Sequence, residues 1–438
     1  MIRSFNMRID LLIHLMIGSA IIGIGISFAD FYLFHFLLFA LILVYLLQVR
    51  SIGLKLNFGK RIGNYDLIFF WMILWYSFSI FWAPDIGYAG KYIFYIFCGI
   101  SISMTIIYFC KTEEKLNALF KTIGGVLLVE LVFALLESFT NFRLPISPYS
   151  SFLHYFGKEA VNFSELDNIF VYSDFRPPTG FHWNTNNLAI AMVMILPFFL
   201  CSHQIGFKVL GTLAISIIIV LAASRAVFLG LILILCLYLI VIKKKIATLF
   251  LIWITVIGMF WGMNQLSESE NPRINEIANS IEAISLYIKG DIDVGGSLGW
   301  RRELVNNGID ALINSKGLGV GAGGSVAIQE KLGGVAGRFT SMHNFWIELL
   351  VEGGIIFFGI FLLWYGSTIF NLLKISKWNK NKKLSYYASS LFLSMIGFVP
   401  AAIAASSTIY FFPMWIMFGM AIAVINFYRK NILLLNRN

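Results

Sequence analysis

Apolar runs, each close to the length that crosses a bilayer, constrain this chain more than any other feature. A helix needs roughly 20 predominantly apolar residues to span the hydrocarbon core. By that ruler twelve spans are expected, at 10–29, 31–48, 67–84, 92–110, 118–137, 187–202, 209–224, 226–242, 247–263, 345–369, 386–405 and 410–428. The runs 209–224 and 226–242 have almost no loop between them, so they read as a tight hairpin or as two short tilted spans. Only 13% of residues are charged and mean hydropathy is +0.80, whereas soluble domains are about a quarter charged. The expected fold is all-α: a polytopic helical membrane protein in which residues 1–438 form a single integral membrane domain.

The net charge of +10 would suit a nucleic-acid partner, but the basic residues sit in short clusters between apolar runs, as membrane topology requires. No nucleic-acid binding is expected. With the N-terminus taken as cytoplasmic, 21 of the 33 lysines and arginines fall on short inside segments, among them Lys243–Lys245 and Lys382–Lys383. Ten of the other twelve lie on two long outside loops, 138–186 and 264–344. This bias places both termini in the cytoplasm. Loops so long are usually functional or disordered. The second holds an expected amphipathic helix near Ile274–Tyr287 and glycine-rich turns at 317–324 and 333–334. Arg3 and Arg8 precede an apolar run, Leu11–Phe28, that is long for a signal peptide and reads as a retained first helix. Cys98, Cys110, Cys201 and Cys236 form no CxxC pair, so neither a disulfide framework nor a zinc site is expected.

Four polar stretches gather on the outside. SMHNFWIELLVEGG (341–354) places His343 and Asn344 at the head of an apolar run. Asn344, Glu348 and Glu352 recur every four residues and so share a helix face. Capping accounts for Asn344 and the helix dipole for Glu348. His343 has neither explanation, and a histidine near neutral pH suits activation of a sugar hydroxyl. Glu352, deeper in, has no firm account. Arg225 lies between two apolar runs, where it would either snorkel or bind a phosphate. Arg301 and Arg302 open an amphipathic segment, and the glycines of GLGVGAGG after it would serve as an anion cradle or as a hinge. RPPTGFHWNTNNLA (176–189) crowds Arg176, His182, Trp183, Asn184, Asn186 and Asn187 together, as a sugar-binding patch or an interfacial belt. His14 and His35 read as packing residues.

The stretches RPPTGFHWNTNNLA, ASRAVFLG, WRRELVNNGIDALINSKGLGVGAGG and MHNFWIELLVEGGIIFFG, in that order, resemble the O-antigen ligase and polymerase superfamily of bacterial envelopes. The likeness covers roughly residues 65–425, and SSTIYFFPMWIMFGM looks like its Gram-positive branch of teichuronic-acid and capsule polymerases. The resemblance implies a GT-C-like membrane glycosyltransferase of about twelve spans in the cytoplasmic membrane. It implies a glycan donor on undecaprenyl diphosphate, attack by an acceptor sugar hydroxyl, other polysaccharide assembly proteins as partners, and no metal or other cofactor. It carries a catalytic role onto His343 and diphosphate binding onto Arg225 and one of Arg301 and Arg302, with Arg301 favoured by the pattern RREL. Asn344, Glu348, Arg176, His182, Asn184 and Asn187 are then supporting or substrate-binding candidates. A polymerase is the first expectation, a ligase moving finished glycan the second. A flippase or exporter of lipid-linked sugars is the third, although it should carry paired charges at mid-membrane.

Overall fold

A chain that crosses lipid must satisfy its own backbone, and a helix does so within one segment. The computed structural model describes residues 2–52, 64–158, 177–222, 224–245, 296–335, 339–379, 381–405 and 409–435. Its helices are α1 (Ile2–Ile22), α2 (Leu33–Ile52), α3 (Leu67–Phe78), α4 (Ile86–Phe109), α5 (Glu113–Phe139), α6 (Thr185–Leu200) and α7 (Ile205–Leu221). They continue with α8 (Arg225–Leu237), α9 (Gly296–Asn314), α10 (Gly324–Lys331), α11 (Phe345–Trp378), α12 (Lys382–Ala401) and α13 (Phe412–Leu435). The sheet among the described residues is one hairpin, β1 (Ser27–Phe28) with β2 (Phe31–Tyr32).

Seven of the described helices, α1, α4, α5, α8 with its continuation to Ile242, α11, α12 and α13, are long and apolar enough to cross a membrane. Shorter apolar helices lie in α2, α3, α6 and α7. The chain is therefore a multi-pass helical membrane protein. These elements coincide with eleven of the twelve expected spans. The twelfth, 247–263, lies outside the described residues, as do Arg176 and the amphipathic helix expected near 274–287. The doubtful pair resolves into two helices, α7 ending at Leu221 and α8 starting at Arg225. Helices α9 and α10 lie within the expected loop 264–344.

Helices α12 and α13 form the centre, each 78% buried over its apolar window against 28% for α5 and α8, whose Val132 and Leu229 face outward. Packing between spans relies on close approach rather than on water exclusion, which favours small residues. Gly230 of α8 meets Gly397 of α12: a Cβ on Gly230 would lie 2.7 Å from the Gly397 carbonyl oxygen. Helix α6 runs antiparallel to α12, with Ser390 Oγ donating to Pro197 O at 3.3 Å and Tyr386 Oη to Phe198 O at 2.8 Å.

Helix α11 departs from the uninterrupted span expected at 345–369. It breaks at Gly354, whose φ of 78° and ψ of 170° are non-helical. A break inside a span strips carbonyls of their helical partners, and they need new ones. The GLGVGAGG segment supplies them. Val320 N donates to Val351 O at 2.9 Å and Gly321 N to Glu352 O at 3.1 Å, while Ile355 N donates back to Gly317 O at 3.0 Å. Trp75 Nε1 donates to Gly353 O at 2.8 Å and Trp82 Nε1 to Gly319 O at 3.1 Å, which ties α3 and its extension to the same junction. The glycines 317–321 thus form a backbone junction rather than a free hinge or a cradle open to a ligand. Their amides are committed: Gly319 N to Ser315 Oγ at 3.1 Å and Ala322 N to Ser79 Oγ at 2.9 Å complete the set. They are glycines because two backbones pass at contact distance.

Candidate functional site

Asn344 caps α11 through its side-chain oxygen, which accepts from Trp346 N at 3.1 Å and Ile347 N at 3.3 Å. The next amide, Phe345 N, donates to Ala402 O at 3.1 Å, so α11 begins where α12 ends. Helix α6 begins at that same end of α12, because the two are antiparallel. So does α8, since Gly230, five residues into it, crosses α12 near its last turn. Asn184, Arg225 and His343 are thereby gathered at one end of the bundle. Three helix N-termini converge there, an arrangement that favours anionic groups.

His343 is half-buried, with a left-handed φ of 49° that fixes it at the turn into α11. Its Nδ1 is buried and accepts no hydrogen bond within the described residues. Phe339 meets the imidazole edge-on at 6.2 Å, and Trp300 of α9 lies 5.1 Å from Phe339. This ladder draws the start of α9 to the histidine. Burial, and then the charge of Arg301, lower the His343 pKa from 6.5 to about 4. The doubled arginine is thereby split: Arg301 is half-buried and acts on His343, while Arg302 is exposed.

The two carboxylates of α11 lie deeper. Glu348 accepts from Tyr92 Oη at 3.2 Å. Glu352 Oε1 accepts from Ser325 Oγ at 2.7 Å, with the Gly323 and Ser325 amides beside it. Glu352, unexplained from sequence, therefore holds the first turn of α10 against the broken helix. Its Oε2 is buried without a hydrogen bond in the described residues, and so is the Tyr76 hydroxyl nearby.

In the 177–189 stretch, Asn184 caps α6, its side chain accepting from Asn186 N at 2.7 Å. Asn187 keeps a buried Oδ1 without a hydrogen bond among the described residues. Trp183 lies under the Lys158 ammonium at 5.7 Å, and that lysine also donates to Ala29 O at 2.7 Å. Two buried residues of α5 hold this stretch down, Glu137 and Glu130, neither anticipated from sequence. Glu137 Oε2 accepts from Thr179 N at 2.7 Å and Gly180 N at 2.8 Å, with Arg143 Nη1 at 3.9 Å. Glu130 Oε1 lies 3.0 Å from His182 Nε2, both side chains buried. The signal was present: two carboxylates seven residues apart, two helical turns, inside an apolar span where charge is costly. Glu137→Ala is expected to lower stability by on the order of 3 kcal/mol, since charged hydrogen bonds are lost and two buried amides are left unmet. A thermal melt of the purified protein in detergent reads this; an unchanged midpoint would show that the loop is held by something else.

His14 and His35 belong to packing. His14 Nδ1 is 2.7 Å from Thr122 Oγ1, joining α1 to α5, and His35 Nδ1 accepts from Tyr32 N at 3.1 Å.

Residues 210–362 match the family described as O-Antigen ligase, a stretch that contains Arg225, Arg301, Arg302 and His343. The chain is also 21% identical over 427 residues to the teichuronic acid biosynthesis protein TuaE of Bacillus subtilis strain 168, covering 95% of this chain and 83% of that relative. The resemblance to the O-antigen ligase and polymerase superfamily read from the motifs is borne out by both.

Proposed function

We propose, from that likeness, that the chain is an envelope polysaccharide polymerase with twelve spans and both termini in the cytoplasm. It takes glycan from undecaprenyl diphosphate and joins it to an acceptor sugar hydroxyl at the outer face of the cytoplasmic membrane. The observation that carries the reading is that the charge of Arg301 acts on His343 at the bundle end where α8 begins with Arg225. In the reaction the acceptor oxygen bonds to the anomeric carbon, the carbon–oxygen bond to the diphosphate breaks, and its electron pair leaves on the lipid diphosphate. Arg225 and Arg301 stabilise that growing charge, with forked guanidinium groups suited to phosphate oxygens. His343 acts at the reacting centre on the Arg301 side. Asn187, His182 and the aromatic Trp183 provide sugar contacts.

Burial and Arg301 keep His343 neutral across the physiological range. A group with a lowered pKa loses its neutral form only in acid. Protonation of His343 should therefore add no limb to kcat/KM, which reports the free protein, between pH 8 and about 5, and should add one near 4. An acid limb near 6.5 that vanishes in His343→Gln would contradict this placement of the ring.

Reconstitution with a lipid-diphosphate-linked glycan tests the function. Formation of a glycosidic bond between repeat units is the expected result. Movement of donor across the bilayer with no new bond would replace the reading with a transporter. The family description O-Antigen ligase favours a second reading, transfer of finished glycan to another acceptor. A deletion strain separates the two: single lipid-linked repeat units accumulate without a polymerase, and long lipid-linked chains accumulate without a ligase.

A further inference from the structure

Glu130 and Glu137 share one face of α5, and only one of them is explained by structure alone. Glu137 anchors the Thr179–Gly180 amides. Glu130 is fully buried, and neither of its oxygens makes a well-formed hydrogen bond within the described residues. Its polar contact is His182 Nε2 at 3.0 Å. A carboxylate kept inside a span at such cost is a functional candidate by default, with its partner named.

A carboxylate against Nε2 fixes an imidazole in orientation and favours the proton on that nitrogen, which leaves Nδ1 as the proton acceptor. The His182 ring packs on Phe411 at 5.5 Å, and the preceding Tyr410 is within electrostatic reach of Glu348, one turn below Asn344. Phe345, two residues after His343, bonds Ala402 at the other end of that connection. His182 and Phe345 thus touch the described residues Phe411 and Ala402, near the start of α13 and the end of α12. A direct displacement brings the nucleophile in opposite the leaving group. Within the transfer reading, the charge of Arg301 puts His343 on the leaving-group side, and burial makes it a weak base there. The acceptor side needs another.

We propose that His182, oriented by Glu130, accepts the proton of the attacking sugar hydroxyl, and that residues 177–184 form the acceptor side of the site. This rests on the glycosyl-transfer reading. As the acceptor oxygen bonds to the anomeric carbon, its proton passes to His182 Nδ1, and the electron pair of the broken bond leaves with the diphosphate. His182 then releases the proton to water. Glu130 is a positioning residue, acting through the imidazole.

The test uses the purified full chain, a lipid-diphosphate-linked donor and a sugar acceptor. His182→Ala is expected to lower kcat by ~10²–10⁴-fold, with KM for donor unchanged and turnover partly restored by added imidazole. Glu130→Gln, which keeps the volume, should lower kcat by about tenfold or more without moving donor KM. Turnover of folded His182→Ala within ~3-fold of the parent, or a loss that imidazole does not restore, overturns the assignment. If that variant does not purify as folded protein, Glu130→Gln decides alone, and unchanged kcat overturns it. If the parent chain forms no glycosidic bond, the transfer reading itself fails. Activity in the parent and in both variants would sink only the role of His182.

Discussion

Replacing His343 with alanine should lower glycosyl transfer by ~10²–10³-fold, as loss of one donor to the developing charge does, while the protein still inserts and accumulates in the membrane. The ring sits at the entry to α11 rather than in its core, and the cap that starts the helix is Asn344. Its loss should therefore spare the fold. Arg301→Ala and Arg225→Ala should each cost on the order of 3 kcal/mol of transition-state stabilisation, about two powers of ten in rate, by analogy with loss of one oxyanion donor. Arg302→Ala is the control. It is exposed where Arg301 is half-buried, so its loss should change turnover little. The measurement is polymer formed per molecule of purified protein at saturating donor. Normal polymer from both His343→Ala and Arg225→Ala would remove the site as assigned. Because Arg301 and His343 interact, their double variant should cost less than the summed single effects.

The second large effect falls on stability. Gly354→Ala should prevent accumulation of folded protein. The added Cβ would overlap the Leu318 carbonyl oxygen, and the backbone there holds φ at 78°. The strain of that conformation contributes about 1–3 kcal/mol. Overpacking against rigid backbone adds a similar amount, about 1–3 kcal/mol or more. Gly319→Ala should act in the same direction, since its Cβ would lie 2.5 Å from the Glu352 carbonyl oxygen at a φ of 92°. Gly359, later in the same helix, is the control: a Cβ there would meet no heavy atom within 4 Å, so alanine should be accepted. The comparison is yield and melting temperature in detergent. A Gly354→Ala protein that melts with the parent would show that the junction of α11 with 317–321 is not what holds the site.

Much of the frame is legible in residue order. The apolar runs anticipate the positions of α1 to α8 and α11 to α13, because the length of a span is fixed by the bilayer and not by neighbouring helices. The motif residues Arg225, Arg301 and His343 are legible as candidates, since charge and imidazole at the head of an apolar run have few bland explanations. The glycines of 317–324 are visible as unusual but not interpretable: anion cradle, hinge and backbone junction ask for the same residue type. Glu352 is visible and unexplained for a similar reason, its partner Ser325 lying 27 residues earlier in the chain. Glu130 and Glu137 pass unnoticed inside a span whose average hydropathy hides two charges.

The sequence by itself determined that the chain crosses the membrane in helices, that its basic residues cluster between those helices, and which polar residues have no apolar role. Those are local properties, set by hydrophobic length and by the cost of charge in lipid. Only the tertiary structure decided which arginine of the pair brings its charge to bear on His343, what the broken α11 does with its carbonyls, and that Glu130 stands against His182. Each of these depends on contacts between segments far apart in the chain. Such contacts are fixed by close packing of helices and by the need of every buried polar group for a partner, not by the pattern of any one segment.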